Sequence, residues 1–400
     1  MRIGYVVQRY GDAVAGGAEL ACREFAVRMA GRGHDVHVIT TCARDYTDWA
    51  NVYPAGDTVE HDVHLHRIPV AATRDNELFN AINPRVLAGY KPIPLHLQRT
   101  WMQLQGPYAP GLPDWLTQQA ASFDVIDFFT YLYWTTWAGL PAAAAQTATV
   151  LHPCAHDEPP LYLPLYEETV RRADRLATFV EEEADLLDQR FHLGTPAVVH
   201  GIGVDLDDDP DDVDDVASEP PPTDRPYLLY VGRVDPHKGS TELFDYFVTY
   251  KARNPGPLAL VVMGDPVLPL DTHPDVISTG FVSEAAKRTA MRDAIALVHP
   301  SYFESFSLVL CEAWVQRTAA LVQGRCAVLA GQARRSGGAI PYTGFAQFEA
   351  AIDRLWADPP LRTRLGLAGR RYVEQRYRWE DVLDRYESFL ATVLSGSRPV

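Results

Sequence analysis

The chain has 400 residues, more than one hydrophobic core usually organises, so two domains are expected. With 47% hydrophobic and 22% charged residues it has the composition of a globular protein, neither fibrous nor low in complexity. A net charge of −16 argues against nucleic acid and anionic lipid as partners, although ten acidic residues and no base fall between Asp205 and Asp224. Five cysteines (Cys22, Cys42, Cys154, Cys311, Cys326) are scattered and form no C-x-x-C, which points to reduced thiols rather than disulfides or a zinc site. No run reaches the length of a membrane span, and MRIGYVVQRYG enters a strand without a signal peptide's apolar region; a cytoplasmic location is expected.

Arg2 to Gln8 reads as a buried strand that runs into a glycine-bearing turn, Gly11 and then Gly16-Gly17-Ala18-Glu19. Leu20, Phe25, Ala26 and Met29 trace the helix that follows, and Val36 to Thr41 is the next strand. This is a βαβ unit, but no G-x-G-x-x-G marks it as a dinucleotide site. Arg74 to Trp137 is irregular and rich in aromatics, among them Phe79, Tyr90, Trp101, Trp115 and Trp134; two helical segments and a strand, Val125 to Phe129, are expected in it. Most of these rings should be core, with a few left to line a ligand pocket. Thr149 to His152 is a strand ending in Pro153-Cys154-Ala155-His156-Asp157-Glu158, where His156 with Asp157 is a candidate acid–base or substrate-orienting pair. A helix from Tyr166 to Ala177, a strand-to-helix step at Phe179 to Glu183, and a strand at Ala197 to His200 complete this half.

Asp205 to Asp224, acidic and rich in proline, reads as a linker between domains. It cannot be a calcium loop, because Pro210 and Val216 stand where glycine and glutamate are needed. A fresh α/β pattern then begins: strands at Tyr227 to Val231, Leu258 to Met263 and Val276 to Ser278, each followed by a glycine, and a helix from about Ser240. The first turn, Gly232-Arg233-Val234-Asp235-Pro236-His237-Lys238-Gly239, sets two cations beyond a strand's end. The densest stretch is Ala296 to Trp314, ALVHPSYFESFSLVLCEAW. A strand stops at Pro300-Ser301, Glu304 follows in a loop, and a helix is expected from about Ser305 with Ser305 or Ser307 as its cap. Glu312 should lie two turns inside, about 12 Å along if the eight residues are helical. A strand end feeding a helix start is where an open α/β sheet holds anionic ligands. Ala319 to Val322 and the Gly324 to Tyr342 region continue the sheet, and helices from Gly344 finish the chain.

The run P-S-x-x-E-S-F-x-L-V-x-x-E-A with G-R-x-x-x-x-K-G resembles the retaining glycosyltransferases of family 4, the glycosyl transferases of group 1. The resemblance covers almost the whole chain. It implies a GT-B fold: an α/β architecture of two Rossmann-like domains facing each other across a cleft, residues 1–204 and 225–376, with 205–224 as linker. Residues 377–400 would form a terminal helix crossing back to the first domain. By the same resemblance Arg233 and Lys238 neutralise the diphosphate of a nucleotide-sugar donor, Glu304 meets sugar hydroxyls and Glu312 the ribose. The backbone of Phe306, Ser307, Leu308 and Val309 would hold phosphate or sugar oxygens, Gly280, Phe281 and Val282 would frame the base, and Gly16 and Gly17 would face the donor from the first domain. No metal or other cofactor is implied: no D-x-D appears in a suitable loop, and Asp205-Leu206-Asp207, which has the letters, lies in the linker. The expected reaction is a metal-independent transfer to an acceptor hydroxyl or amine with retention of anomeric configuration, a soluble acceptor being favoured over a membrane-embedded one. A nucleotide-sugar epimerase, a phosphorylase of the same fold, or a non-catalytic nucleotide-sugar-binding subunit remain alternatives. One departure is Gln316-Arg317-Thr318, which stands where the family has a glycine near the end of the helix.

Overall fold

The computed structural model describes residues 1–14, 16–88, 93–206, 219–264 and 273–396. Most of the linker, with Asp207, Pro210 and Val216, lies outside them, as does Tyr90. The chain divides into two units, Met1–Gly201 with Leu383–Val400, and Ile202–Val382.

In the first unit β1 (Arg2–Val6), α1 (Gly17–Gly31) and β2 (Asp35–Thr41) form the opening βαβ step. A hairpin, β3 (Gly56–Glu60) and β4 (Val63–Ile68), follows, and then three helices, α2 (Asn76–Leu87), α3 (Leu95–Gln105) and α4 (Gly111–Gln119). The rest is β5 (Val125–Phe129), α5 (Trp134–Ala144), β6 (Ala148–His152), α6 (Pro164–Arg172), β7 (Arg175–Thr178), α7 (Glu181–Phe191) and β8 (Val198–Val199). Among the described residues the sheet has eight strands in the order β3-β4-β2-β1-β5-β6-β7-β8, parallel except for β3. Three findings differ from the sequence reading. The irregular region holds three helices rather than two, and the hairpin was not expected. The helix expected to reach Ala177 stops at Arg172, because residues 175–178 are buried β-sheet beside β6. The aromatic core is as expected: Trp101, Phe128, Tyr131 and Trp134 are buried in one apolar cluster with Leu112 and Leu116.

The second unit is fully parallel, in the order β11-β10-β9-β12-β13-β14. Its elements are β9 (Tyr227–Val231), α8 (Ser240–Arg253), β10 (Ala259–Met263), β11 (Val276–Gly280), α9 (Glu284–Asp293) and β12 (Ala296–His299). They continue with α10 (Leu308–Val315), β13 (Ala320–Gln323), α11 (Ala327–Ser336), β14 (Ala339–Tyr342), α12 (Phe345–Ala357) and α13 (Pro359–Arg376). The inner strands β9, β10, β12 and β13 read as largely apolar runs because both faces are covered; Leu228, Leu260, Val262 and Leu321 are fully buried. The last helix, α14 (Trp379–Leu394), starts in the second unit, and from Leu383 it belongs to the first. There Tyr386 donates to Asp127 Oδ2 at 2.6 Å, in a buried line that continues from Asp127 Oδ1 to His152 (2.8 Å) and on to His200 (2.6 Å).

Each sheet reverses strand order at its first strand, between β1 and β5 and between β9 and β12. Loops leaving the carboxyl ends of strands at such a reversal open a crevice, the usual ligand position in this architecture.

Candidate active site

At the β9/β12 reversal, two close approaches of the backbone set the geometry. Gly239 has φ +73, and a Cβ there would lie 2.3 Å from the Pro300 carbonyl oxygen, so the β9 loop seats directly on the β12 exit. Gly264, φ +141, would clash in the same way with the carbonyl of Gly232. This seating brings Lys238, 66 residues away in sequence, onto Glu304: Nζ donates to Oε1 at 2.7 Å. The Glu304 loop is itself held, since Tyr302 donates to Glu242 Oε2 at 2.9 Å and Ser301 Oγ to the Phe303 carbonyl at 3.0 Å. Arg233 leaves β9 beside them, with its carbonyl fixed by the Tyr230 hydroxyl at 2.7 Å and Nε 3.3 Å from Asp235 Oδ2. The side chains of Arg233 and Lys238 stay 45% and 36% exposed, so both cations remain open to a ligand.

Two buried polar atoms here lack hydrogen-bond partners among the described residues, His299 Nε2 and Ser307 Oγ. His299 Nε2 stands 3.6 Å from Glu304 Oε1, and burial lowers its imidazole to about 4. Ser307 occupies the N-cap position of α10 in a left-handed conformation, φ +75, and makes no side-chain cap. The expected serine cap is therefore not formed, and the helix begins at Leu308 instead of near Ser305. Glu312 is the fifth residue of α10, about one turn in rather than two, so the expected helical rise from Glu304 does not apply. The first-turn N–H groups of α10 have no intrahelical acceptor, and they include the backbone donors of Leu308 and Val309. The Phe306 ring packs edge-on against Tyr377 at 4.9 Å and is buried, leaving its backbone as its possible contribution.

Glu312 is held by a residue the sequence reading did not single out. Lys287 on α9 lies 3.1 Å from Glu312 Oε2 and 2.7 Å from Glu284 Oε2. Burial works to lower Lys287, but Glu312 and Glu284 outweigh it and raise it above its ordinary value. Ser283 caps α9 by accepting from Ala286 N at 3.0 Å, and Lys287 stands one turn further along. Gly280, φ +68, ends β11, and Phe281 beyond it is 83% exposed, a large apolar ring in water beside Val282.

The first unit's loops have different neighbours. Gly16 precedes α1 where a Cβ would lie 2.1 Å from a Glu19 carboxylate oxygen, so Glu19 can fold back over the helix start. Glu19 Oε1 accepts from Gln8 at 2.8 Å and from Arg9 Nε at 2.9 Å, and pairs with the Arg9 Nη2 as well. Nothing lies within 4 Å of a Cβ built on Gly17. The expected His156–Asp157 pair does not form: Asp157 accepts from the Tyr162 hydroxyl at 2.6 Å, and His156 Nδ1 lies 3.4 Å from Glu158 instead. The chain turns tightly here, Glu158 N donating to the His156 carbonyl at 2.8 Å, which brings residue 158 onto 156. Buried Glu183 holds this loop by accepting from Ala155 N at 2.7 Å; burial raises its carboxyl to about 8.

Two open α/β sheets, each with a charged loop at its reversal, are the elements of a GT-B fold. Residues 212–372 match the glycosyl transferases group 1 and residues 16–203 a glycosyl transferase 4-like domain, so the chain is a GT-B glycosyltransferase resembling family 4, group 1. Solved structures agree on the fold. Sucrose-phosphate synthase from Thermosynechococcus elongatus is 18% identical, with a TM-score of 0.69 over 99% of this chain and 100% of that one. The HepE protein of Anabaena in complex with UDP is 15% identical (TM-score 0.68, 98% and 100% covered). The trehalose 6-phosphate synthase of Burkholderia multivorans is 15% identical (TM-score 0.70, 99% of each). No curated protein sequence matches the chain.

Proposed function

We propose that the chain transfers a sugar, with retention of anomeric configuration and without a metal ion, from a nucleoside-diphosphate sugar to a hydroxyl or amine of a soluble acceptor in the cytoplasm. The observation that carries this reading is the Lys238–Glu304 pair beside Arg233 at the β9/β12 reversal. As the bond from C1 to the diphosphate oxygen breaks, charge grows on the leaving group, and two half-exposed cations next to a helix start are placed to meet it. The unpartnered Ser307 Oγ and the opening N–H groups of α10 would add donors there. Glu304 would accept from donor-sugar hydroxyls. Its bond to Lys238 makes it a poor covalent nucleophile, which favours front-face attack: the acceptor oxygen bonds to C1 on the side the phosphate leaves, and its proton passes to the departing phosphate oxygen. Glu312, steadied by Lys287, would bind the ribose, with exposed Phe281 and its neighbours Gly280 and Val282 against the base. Gly16 and Gly17 would take part in donor binding, and His156 would orient or deprotonate the acceptor. Among the described residues no helix is long and apolar enough to cross a membrane, which is compatible with a soluble acceptor.

HepE was solved with UDP-glucose and a trehalose-6-phosphate protein of E. coli with UDP-2-fluoro glucose, so uridine donors are the first to try. The test is a panel of nucleotide sugars with excess EDTA, following sugar release and product anomer by NMR. Transfer with the donor's anomeric configuration kept is expected. Inversion, or activity lost with EDTA and restored by magnesium or manganese, would overturn the respective part. Sugar epimerisation without transfer would favour the epimerase alternative.

A further inference from the structure

The first unit carries a second cluster of ionisable side chains at the amino ends of β2 and β4, the opposite end of the sheet from the glycine loop. Parallel pairing sets His37 beside His64 and Ile39 beside His66, and the antiparallel β3 sets Asp57 beside His66. Side chains two apart on a strand point to one face, so Asp35, His37, His64, His66 and Asp57 share a face. His37 Nε2 lies 3.0 Å from Asp35 Oδ1, and His64 Nε2 lies 3.9 Å from the same oxygen. The three ligand atoms fall within 4.8 Å of one another. Behind them His37 Nδ1 is 2.8 Å from His66 Nε2, the two rings being nearly coplanar at 3°, and His66 Nδ1 is 2.8 Å from Asp57 Oδ1. Phe123 stands edge-on to His37 at 5.1 Å and Trp115 lies 4.7 Å from His66, an apolar wall on the protein side.

Hydrogen bookkeeping shows what this line lacks. Asp35, His37, His66 and Asp57 form a chain with a carboxylate at each end and three gaps. Two neutral imidazoles bring two N–H groups, so one gap must set lone pair against lone pair. If His66 donates to Asp57 and His37 donates to His66, the gap left over is the one at Asp35, where His64 adds a third donor atom. That tautomer pattern, a carboxylate fixing an imidazole that fixes a ligand, is how metal-binding histidines are oriented. Arg2 Nε approaches the other oxygen of Asp35, Oδ2, at 3.4 Å and leaves Oδ1 to the histidines. His64 is about half exposed, so its ring can turn to close the longer approach.

We propose that Asp35, His37 and His64 bind one divalent transition-metal ion of the zinc type, with solvent completing the shell, and that the ion ties β2 to β4. Two imidazoles and one carboxylate suit zinc and its neighbours and reject magnesium, which wants oxygen donors. In a tetrahedral shell with bonds of about 2.0–2.1 Å the ligand atoms would sit roughly 3.3 Å apart, between the two distances seen. The site lies away from the strand ends that carry transfer chemistry, so its role is structural.

The test uses full-length protein stripped with EDTA and dialysed, titrated with zinc in the presence of magnesium and followed by calorimetry and thermal unfolding. The expected result is one tight equivalent of zinc that raises the melting temperature, with magnesium giving no shift. Asp35→Asn and His64→Gln, both at half-exposed positions, should each lose at least tenfold in zinc affinity while keeping the circular dichroism of the parent. Asp57→Asn, which breaks the orienting line without removing a ligand, should weaken zinc by roughly tenfold. Parent protein that binds no zinc, or that binds it no better than Asp35→Asn and His64→Gln do, overturns the proposal; the extra cation in the line is then a proton.

Discussion

Glu19, in the first turn of α1, and Glu304, in the loop after β12, each lie just past a strand at which their sheet reverses order, yet their surroundings differ. Glu19 is buried against Gln8 and Arg9, and the pair is sealed on both sides, each side chain 6% exposed. Glu304 meets Lys238 in a loop where that lysine and Arg233 stay substantially exposed and two buried polar atoms, His299 Nε2 and Ser307 Oγ, still lack partners. A charge satisfied inside the protein serves the fold. A charge left half open beside unsatisfied donors is available to a ligand, and similar sheets can therefore hold different roles.

The largest effect expected from this contrast is on stability. Glu19→Ala strands a buried guanidinium, and a cost of about 3–5 kcal/mol is expected in denaturant unfolding. A cost under about 1 kcal/mol would show that the first unit's pair is no more structural than an exposed one. Glu304→Gln should act the other way, leaving stability and UDP binding near the parent while sugar transfer drops roughly a hundredfold. Equal loss of UDP binding and transfer would move Glu304 off the sugar.

A pH series sharpens the comparison at Glu183. Its folded carboxyl is raised by burial to about 8, so between the ordinary carboxylate range and about 8 the folded state holds a proton that the unfolded state has lost. Stability should therefore fall as pH rises through that window, by at most about 1.4 kcal/mol per unit. Glu183→Gln should flatten the slope, and an unchanged slope would remove Glu183 as its source. The smallest effect concerns Glu312→Gln, which should weaken nucleoside-diphosphate binding by about 1–2 kcal/mol through the ribose. Unaltered binding by calorimetry would separate Glu312 from the nucleotide.

Much of the second unit was legible because strands covered on both faces read as plain apolar runs; Tyr227–Val231 has the bounds its sequence predicts. The proximity of Lys238 and Glu304 followed from motif resemblance, since 66 residues separate them and neither periodicity nor spacing could pair them. The neighbours of the site residues were hidden for the same reason: Lys287 reaches Glu312, and His299 comes within 3.6 Å of Glu304, only once sheet order is fixed. The β4 strand had a usable signal that went unread, the alternation Val63-His64-Leu65-His66, with histidines on one face and apolar residues on the other. Helix ends were the least legible. Ser307 looks like a cap and is instead left-handed, and Arg317 takes a left-handed turn, φ +60, in the segment that lacks the family's glycine. Thr318 N still reaches the Ala313 carbonyl at 2.9 Å, so α10 ends in an ordinary way without that glycine.

The central claim is that Arg233 and Lys238 answer the charge of a diphosphate at the β9/β12 reversal. Calorimetry of UDP and of uridine on the parent and on Lys238→Ala tests it without needing the acceptor. The account predicts that Lys238→Ala loses at least tenfold in UDP affinity, keeps its uridine affinity, and turns over donor roughly a hundredfold more slowly. UDP affinity and turnover both within a few-fold of the parent would contradict it.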